Sequence, residues 1–392
     1  MGISIEQILI QIQQSIFHLS ETPALDAQVL LAHILEKPRS WVIAYPESQI
    51  EDQRYLDIIE ALSRLVQGVP LPYVIGHSEF YGIDFYLTHD VLIPRPETEL
   101  LVERGISWLR NHPGQRKAID VGTGSGCIGI ALAMNIPDLN ILMTDISPEA
   151  LGVAKTNVER YHLAERIEFK QANLLDGFTE QYNLICANLP YIPSQVLKGL
   201  PVAGREPWLA LNGGKQGTEL ISRLLDQARG CLAPGGIILL EIEASQGNAV
   251  KNIADGIYPA SQVEIHKDLA GLDRCIEITP PNQLVHLCQN PDWKQAQVQG
   301  NYLSKSFSQE GFIHCSQAHQ ILKVANRFYQ RIPGLVLLWI DPEKISAEIR
   351  WEFSDGELFP HIYGPINLNA VISITDFKPD EDGIFRVVNL NT

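Results

Sequence analysis

The chain has no apolar run long enough to cross a bilayer. A span needs about 20 such residues, and the longest candidate, Leu335-Val336-Leu337-Leu338-Trp339-Ile340, is strand-sized. Positive charge is scarce: 30 Lys and Arg stand against 46 Asp and Glu, a formal net charge of −16. Phosphate backbones need a basic face, so strong direct nucleic-acid binding is not expected, although an RNA-bound protein stays open as a partner. Paired cysteines are missing as well. The six cysteines (127, 186, 231, 275, 288 and 315) are scattered among apolar neighbours without a C-x-x-C pair. This argues against a disulfide framework or a bound metal and for buried, reduced thiols. No basic stretch precedes an apolar core at the N-terminus, where Glu6 already stands, so no secretory signal is expected and a cytoplasmic protein is. Repeats and low-complexity tracts are absent.

At 392 residues, 45% of them hydrophobic, the chain is sized for two or three globular domains. Residues 1–75 read as a helical bundle. Ile5, Ile8, Leu9, Ile12, Ile16 and Leu19 follow helical spacing behind a Ser4-x-x-Gln7 capping signature, and Thr22-Pro23 opens a second helix over 25–35. A third spans 55–66. No chemistry is visible here, so a substrate-docking module and a structural cap both stay open. Residues 73–88 alternate aromatic and polar positions around Gly76 and Gly82, which suggests a short hairpin linking two domains, with 76–92 the linker that opens a domain over 76–279. From Lys117 to residue 279 strand and helix patterns alternate, the mark of an α/β domain with a parallel sheet covered on both faces. Strands are expected near 118–121, 141–145, 167–169, 184–187, 237–242, 263–265 and 275–278. Thr279-Pro280-Pro281-Asn282 reads as a linker to a small α+β domain over 282–392.

Two stretches carry chemistry. Gly122-Thr123-Gly124-Ser125-Gly126 lies between the first strand and a helix, where glycines let a ligand approach the backbone at the helix N-terminus. Gly124-x-Gly126-x-x-Gly129 satisfies the dinucleotide fingerprint, and Asp145, ending the second strand, suits ribose hydroxyls of either NAD or S-adenosylmethionine. Asp120 before the loop suits the amino group of a methionine moiety and is useless to a pyrophosphate. The second stretch, Asn188-Leu189-Pro190-Tyr191, leaves the strand over 184–187 at its carboxyl edge, where ligands of open α/β sheets sit. Hydride transfer does not require that turn, so S-adenosylmethionine is the expected cofactor.

These motifs occur together with Ile93-Pro94-Arg95-Pro96-Glu97-Thr98-Glu99, Asp145-Ile146-Ser147-Pro148, Glu206-Pro207, Leu211-Asn212-Gly213-Gly214 and Asp268-Leu269-Ala270-Gly271-Leu272-Asp273-Arg274. Over roughly residues 5–279 the chain resembles the peptide chain release factor glutamine methyltransferases, the PrmC/HemK family. The resemblance implies a Rossmann-like class I methyltransferase sheet and S-adenosylmethionine held at Gly122 to Gly126, Asp145, Leu174 and Asn188. It also implies the Gln of the Gly-Gly-Gln loop of class I release factors as substrate, with the helical domain helping to hold that factor. The Arg95 run, with Glu97, separates this family from Asn-Pro-Pro-Tyr enzymes acting on nucleic acids, which remain the alternative. Three departures stand out: Leu189 replaces the usual Pro, Leu174 an aromatic residue of some members, and Asn173 a frequent acid.

On that reading the Asn188 oxygen and the Leu189 carbonyl accept the two hydrogens of the substrate amide, Pro190 stiffens the turn and Tyr191 stacks on the amide plane. Arg95 and Glu97 are expected on the substrate side. A monomer is expected. The C-terminal motifs, Trp293, Gly300-Asn301-Tyr302, the stretch from Glu310 to Ser316, Arg350-Trp351-Glu352 and the stretch from Phe359 to Pro365, resemble a small family of domains of unknown function related to the ADP-ribosyltransferase fold. His286, His314 and His361 are candidates for a shared cleft with Ser316, Trp351 and Glu352, for NAD, a nucleotide or protein docking. A scaffold with a silent methyltransferase would show a broken glycine loop or a lost Asn188, and both are intact.

Overall fold

The computed structural model describes residues 3–258, 261–354 and 357–386. The ends of the first and last expected domains, 1–2 and 387–392, lie outside them.

The first helix, Ile5–Ile16, starts where its cap directs. Ser4 Oγ accepts from the Gln7 amide at 3.3 Å, and the Gln7 side chain accepts from the Ser4 amide at 3.0 Å. Ile5, Ile8, Ile12 and Ile16 turn inward, and the helix ends there, leaving Leu19 exposed instead of extending the stripe. Pro23–Ile34 and Asp52–Val66 complete the main bundle. Thr22 does not cap the backbone; its hydroxyl donates to the Asp26 carboxylate at 3.3 Å. Two short helices, Arg39–Ala44 and Leu71–Ile75, escape the periodicity because each is barely a turn or two long.

The hairpin His77–Phe80 and Ile83–Tyr86 is more than a tether. Phe80, Phe85 and Leu87 are buried in the same apolar cluster as one face of the central sheet. That sheet has seven strands in the order Ile167–Gln171, Asn140–Asp145, Lys117–Val121, Tyr182–Ala187, Leu232–Glu241, Asp273–Thr279 and Gln262–Lys267. The first five are parallel; Asp273–Thr279 runs antiparallel to both neighbours. Successive strand residues point to opposite faces, and both faces are covered. Ala118, Leu184, Cys186 and Leu239 join the cluster under Glu99–Asn111, Cys127–Asn135 and Pro148–Arg160. Ile119, Ile185, Ala187 and Leu240 join the one under Glu219–Ala228 and Gly247–Ile257. The last helix has no counterpart in the sequence reading, since glycines at both its ends lower its intrinsic propensity.

Beyond the linker, Ser316–Gln317, Leu284–Gln289, Leu335–Ile340 and Val371–Phe377 form a four-stranded sheet. Ile313–His314, Glu357–Tyr363 and Glu348–Ser354 form a three-stranded one, so the expected α+β texture holds with an additional hairpin.

Asn157, fully buried within Pro148–Arg160, joins the hairpin to the glycine loop. Its amide exchanges hydrogen bonds with Tyr86 N and O at 2.8 and 3.0 Å and donates to Ser125 O at 2.9 Å. Asn157→Leu strands the buried Ser125 carbonyl and two half-buried Tyr86 backbone groups and is expected to lower stability by about 2–4 kcal/mol. Urea unfolding measures this as a lower midpoint with unchanged slope.

Candidate active site

The site lies where strand order reverses. Lys117–Val121 and Tyr182–Ala187 are parallel neighbours, and Val121 pairs with Ala187. Their next residues, Gly122 and Asn188, therefore leave the sheet side by side at its carboxyl edge, where the following helices depart to opposite faces. A cavity of ≈ 370 Å³ opens there, lined by both segments, within the range of small-molecule sites.

On the first strand's side, Gly122, Gly124 and Gly126 take φ of 72°, 55° and 83°, left-handed values that side chains resist. The Gly124 amide donates to Asp145 Oδ2 at 2.9 Å and the Ser147 amide to Oδ1 at 3.0 Å. Each carboxylate oxygen keeps a second lone pair for a hydroxyl. Burial raises the Asp145 carboxyl above its ordinary value, against the pull of these amides. Gly122, Thr123, Gly124, Ser125, Asp145 and Leu174 all line the cavity. Leu174 holds a left-handed φ of 58°, fixed by the Leu175 amide donating to Gln227 Oε1 at 2.9 Å.

Two expected cofactor residues sit elsewhere. Asp120 is completely buried beneath the loop, not on the cavity wall. Its Oδ2 accepts from Thr123 Oγ1 at 2.6 Å and from the Gly129 amide at 3.1 Å, while Oδ1 has no partner among the described residues. Its carboxylate holds the loop from beneath through these bonds. Gly126 also lies off the wall, because it caps Cys127–Asn135 against Ala154, whose Cβ would stand 3.3 Å from an added one.

On the other side, Asn188, Leu189 and Pro190 line the cavity and Tyr191 does not. The turn is braced from below. A Cβ on Gly213 would lie 2.6 Å from Tyr191 Cα, and one on Gly217 would lie 2.2 Å from Tyr191 O. Gln246 Nε2 donates to that same carbonyl at 3.0 Å. The Tyr191 hydroxyl donates to Glu241 Oε1 at 3.2 Å, and burial raises the phenol well above its usual range. Glu241 Oε2 accepts from Thr98 Oγ1 at 2.5 Å, and Thr98 Oγ1 accepts from Asn188 Nδ2 at 3.1 Å. Among the described residues no donor reaches Asn188 Oδ1 or the Leu189 carbonyl.

Arg95 is on the cavity wall, but its guanidinium is already paired with Glu206, whose side chain is 5% exposed. Glu206 Oε2 also accepts from the Ile93 amide at 3.2 Å. Arg95 thereby latches the loop before Pro207, itself a wall residue, to the segment after the hairpin. Glu97 is exposed and outside the cavity.

Three family models match the chain: a PrmC N-terminal domain over residues 7–76, a methyltransferase small domain over 97–198 and a protein of unknown function (DUF952) over 287–374. A release factor glutamine methyltransferase of Moorella thermoacetica is 40% identical over 258 residues, covering 65% of this chain and 90% of that protein. The chain belongs to the release factor glutamine methyltransferase family. A relative of the same name from Rhodopirellula baltica is 35% identical over 266 residues, covering 66% of this chain and 90% of its own. A solved protein-(glutamine-N5) methyltransferase (release factor-specific) from Alicyclobacillus acidocaldarius is 29% identical, covering 50% of this chain and 99% of its own, at a TM-score of 0.31. None of these names carries a likeness to the ADP-ribosyltransferase fold.

The cofactor of this methyltransferase is S-adenosylmethionine. The residues present fit it. Asp145 offers acceptors for a diol, Ile146 and Leu174 offer apolar walls for a flat base, and the loop leaves open space at Gly124, where an added Cβ meets nothing within 4 Å.

The C-terminal candidates divide between two environments. His286 is buried; its Nδ1 donates to the His314 carbonyl at 2.7 Å, and its Nε2 accepts from Tyr302 at 2.9 Å. Burial lowers its pKa to about 4 and keeps it neutral. On the outer face of the three-stranded sheet, His314 Nδ1 lies 3.2 Å from His361 Nε2, and His361 bonds on to Glu352. Trp351 packs on the opposite face with the apolar core, and Ser316 is a buried partner of Val285. The expected common cleft is thus split by the sheet, because neighbouring strand residues face opposite ways.

Sequence reasoning missed the roles of Thr98, Glu241, Gln246 and Asn157. Only Glu241 left a signal, as a carboxylate closing the apolar run Ile237-Ile238-Leu239-Leu240.

Burial raises the Asp120 carboxyl to about 6, over the opposing hydrogen bonds from Thr123 and Gly129. The folded state then binds that proton more tightly than the unfolded chain. Its contribution is complete below the unfolded value of about 3.9 and disappears as pH rises through the folded value, an effect of about 3 kcal/mol. The stability advantage of wild type over Asp120→Asn, measured by urea unfolding, is expected to shrink across that window. Parallel pH profiles of the two proteins would contradict it.

Proposed function

We propose that this chain methylates the side-chain amide nitrogen of the Gln in the Gly-Gly-Gln loop of class I peptide chain release factors. The observation that carries the reading is the pair of free acceptors at the turn, Asn188 Oδ1 and the Leu189 carbonyl, beside the glycine loop.

An amide nitrogen is a poor nucleophile because its lone pair is conjugated with the carbonyl. S-adenosylmethionine supplies a methyl group activated on a sulfonium; Asp145, Leu174 and the loop from Gly122 to Ser125 hold it. The Asn188 oxygen and the Leu189 carbonyl take the two amide hydrogens and fix the plane of the group. They also meet the positive charge that grows on nitrogen as conjugation is lost, a preorganised effect worth about 3 kcal/mol per acceptor. Alignment supplies much of the remainder. A strong base is unnecessary, since a methylated amide nitrogen sheds its extra proton readily to water. Leu189 supplies the same carbonyl as the Pro usual in the family, and rigidity lost there is returned by Gly213, Gly217 and Gln246 packing under the turn.

The helical domain over residues 1–75 holds the factor, the domain over 76–279 performs the transfer, and residues 282–392 form an accessory domain. The enzyme works as a monomer in the cytoplasm without binding nucleic acid strongly.

Labelled S-adenosylmethionine, offered with release factor or with duplex DNA, tests the assignment. Label is expected on the factor; label on DNA alone overturns it. Asn188→Ala should lower kcat by about 10²–10³-fold while S-adenosylmethionine affinity, measured by calorimetry, stays within about tenfold. Near-normal turnover by that variant would sink the mechanism.

A further inference from the structure

An asparagine amide can be reversed by a half-turn that exchanges its acceptor for its donors with little change in shape. For Asn188 the choice decides everything: only the oxygen can accept a hydrogen from a substrate amide. Something must select that orientation.

The neighbouring hydrogen bonds do so by proton count. Thr98 Oγ1 is 3.1 Å from Asn188 Nδ2 and 2.5 Å from Glu241 Oε2. Tyr191 donates to the other Glu241 oxygen at 3.2 Å. An ionised carboxylate only accepts, so the single Thr98 proton goes to Glu241. Thr98 then has only lone pairs to offer Asn188, which must answer with its NH₂. The Asn188 oxygen is left facing the cavity. Thr98 and Glu241 are each 2% exposed, which shields the bond between them from water.

We propose that Glu241 is a positioning residue, whose carboxylate acts through Thr98 to set which end of the Asn188 amide faces the substrate. This rests on the reading above that Asn188 accepts a substrate amide hydrogen.

The charge on Glu241 is sensitive. Burial raises its carboxyl to about 7, against hydrogen bonds from Thr98 and Tyr191 and the nearby Arg274, with Glu97 adding to the rise. Arg274 is shared with Asp268, at 3.2 Å. Cys127 and Cys275, also close, are thiols pushed up by burial and stay neutral. Protonated, Glu241 can donate to Thr98, which frees the Thr98 proton for the Asn188 oxygen and turns the amide. Activity therefore rises with pH through the Glu241 transition.

The test measures kcat, KM and their pH dependence with release factor and S-adenosylmethionine for wild type, Glu241→Gln, Thr98→Val and Thr98→Ser. Glutamine keeps the shape but can donate to Thr98. Above the transition, Glu241→Gln is expected to lose about 10²-fold in kcat with KM values within about threefold, and its residual rate should be flat with pH. Thr98→Val should lose about tenfold, and Thr98→Ser, which restores the hydroxyl, should recover most of that loss. Wild-type kcat with an unchanged pH slope in Glu241→Gln, or in Thr98→Val, overturns the proposal. Neutron diffraction of the wild-type protein gives a reading independent of substrate: Asn188 Nδ2 toward Thr98 is expected, and Oδ1 toward Thr98 overturns the proposal even if methylation proceeds. A wild type that methylates no release factor would instead defeat the substrate assignment, leaving the neutron result to decide the positioning.

Discussion

The parallel pairing of Val121 with Ala187 places two unrelated turns within reach of one ligand. Each strand is buried on both faces, so a slip of one residue would exchange the residues meeting the two apolar clusters. The register is held by that penalty over the whole length of both strands. Gly122 and Asn188 inherit it, and the donor pocket and acceptor turn need no separate device to stay in line. The surrounding loops add local restraint. Asn157 fastens the glycine loop to the hairpin, and Arg95 with Glu206 fastens the long loop to the segment after the hairpin.

The parts of this arrangement legible in the sequence are those set by local chemistry. Continuous apolar runs bounded by turn formers gave the buried strands, Ser4 and Gln7 gave a helix start, and glycines after Val121 gave the loop. What could not be read are contacts between residues far apart in the chain. Glu206 is 111 positions from Arg95, and Glu241 is 143 from Thr98. Neither partner announces the other, so Arg95 read as a substrate contact when its charge is already met. Asp120 and Tyr191 illustrate a related limit: residue type suggested contact with a ligand and did not show that burial and hydrogen bonding also make both of them supports of the loop and the turn.

The same limit applies to the C-terminal domain. Three histidines in distinctive contexts suggested one cleft, but alternation along the strands sends His286 inward and His314 and His361 outward. His286 is neutral and holds the His314 backbone, a structural task. The ring of His319 lies edge-on to Tyr258 at 5.9 Å, and Tyr258 belongs to the same apolar cluster as Leu189.

On the proposed mechanism the turn at Asn188 presents acceptors suited to one kind of nitrogen, a primary amide. Tandem mass spectrometry of release factor after incubation with the enzyme and S-adenosylmethionine addresses it at the level of the atom. One added methyl group on the side-chain amide of the Gly-Gly-Gln glutamine is the expected result. A methyl group on any other residue of the factor, with that glutamine unmodified, would contradict it.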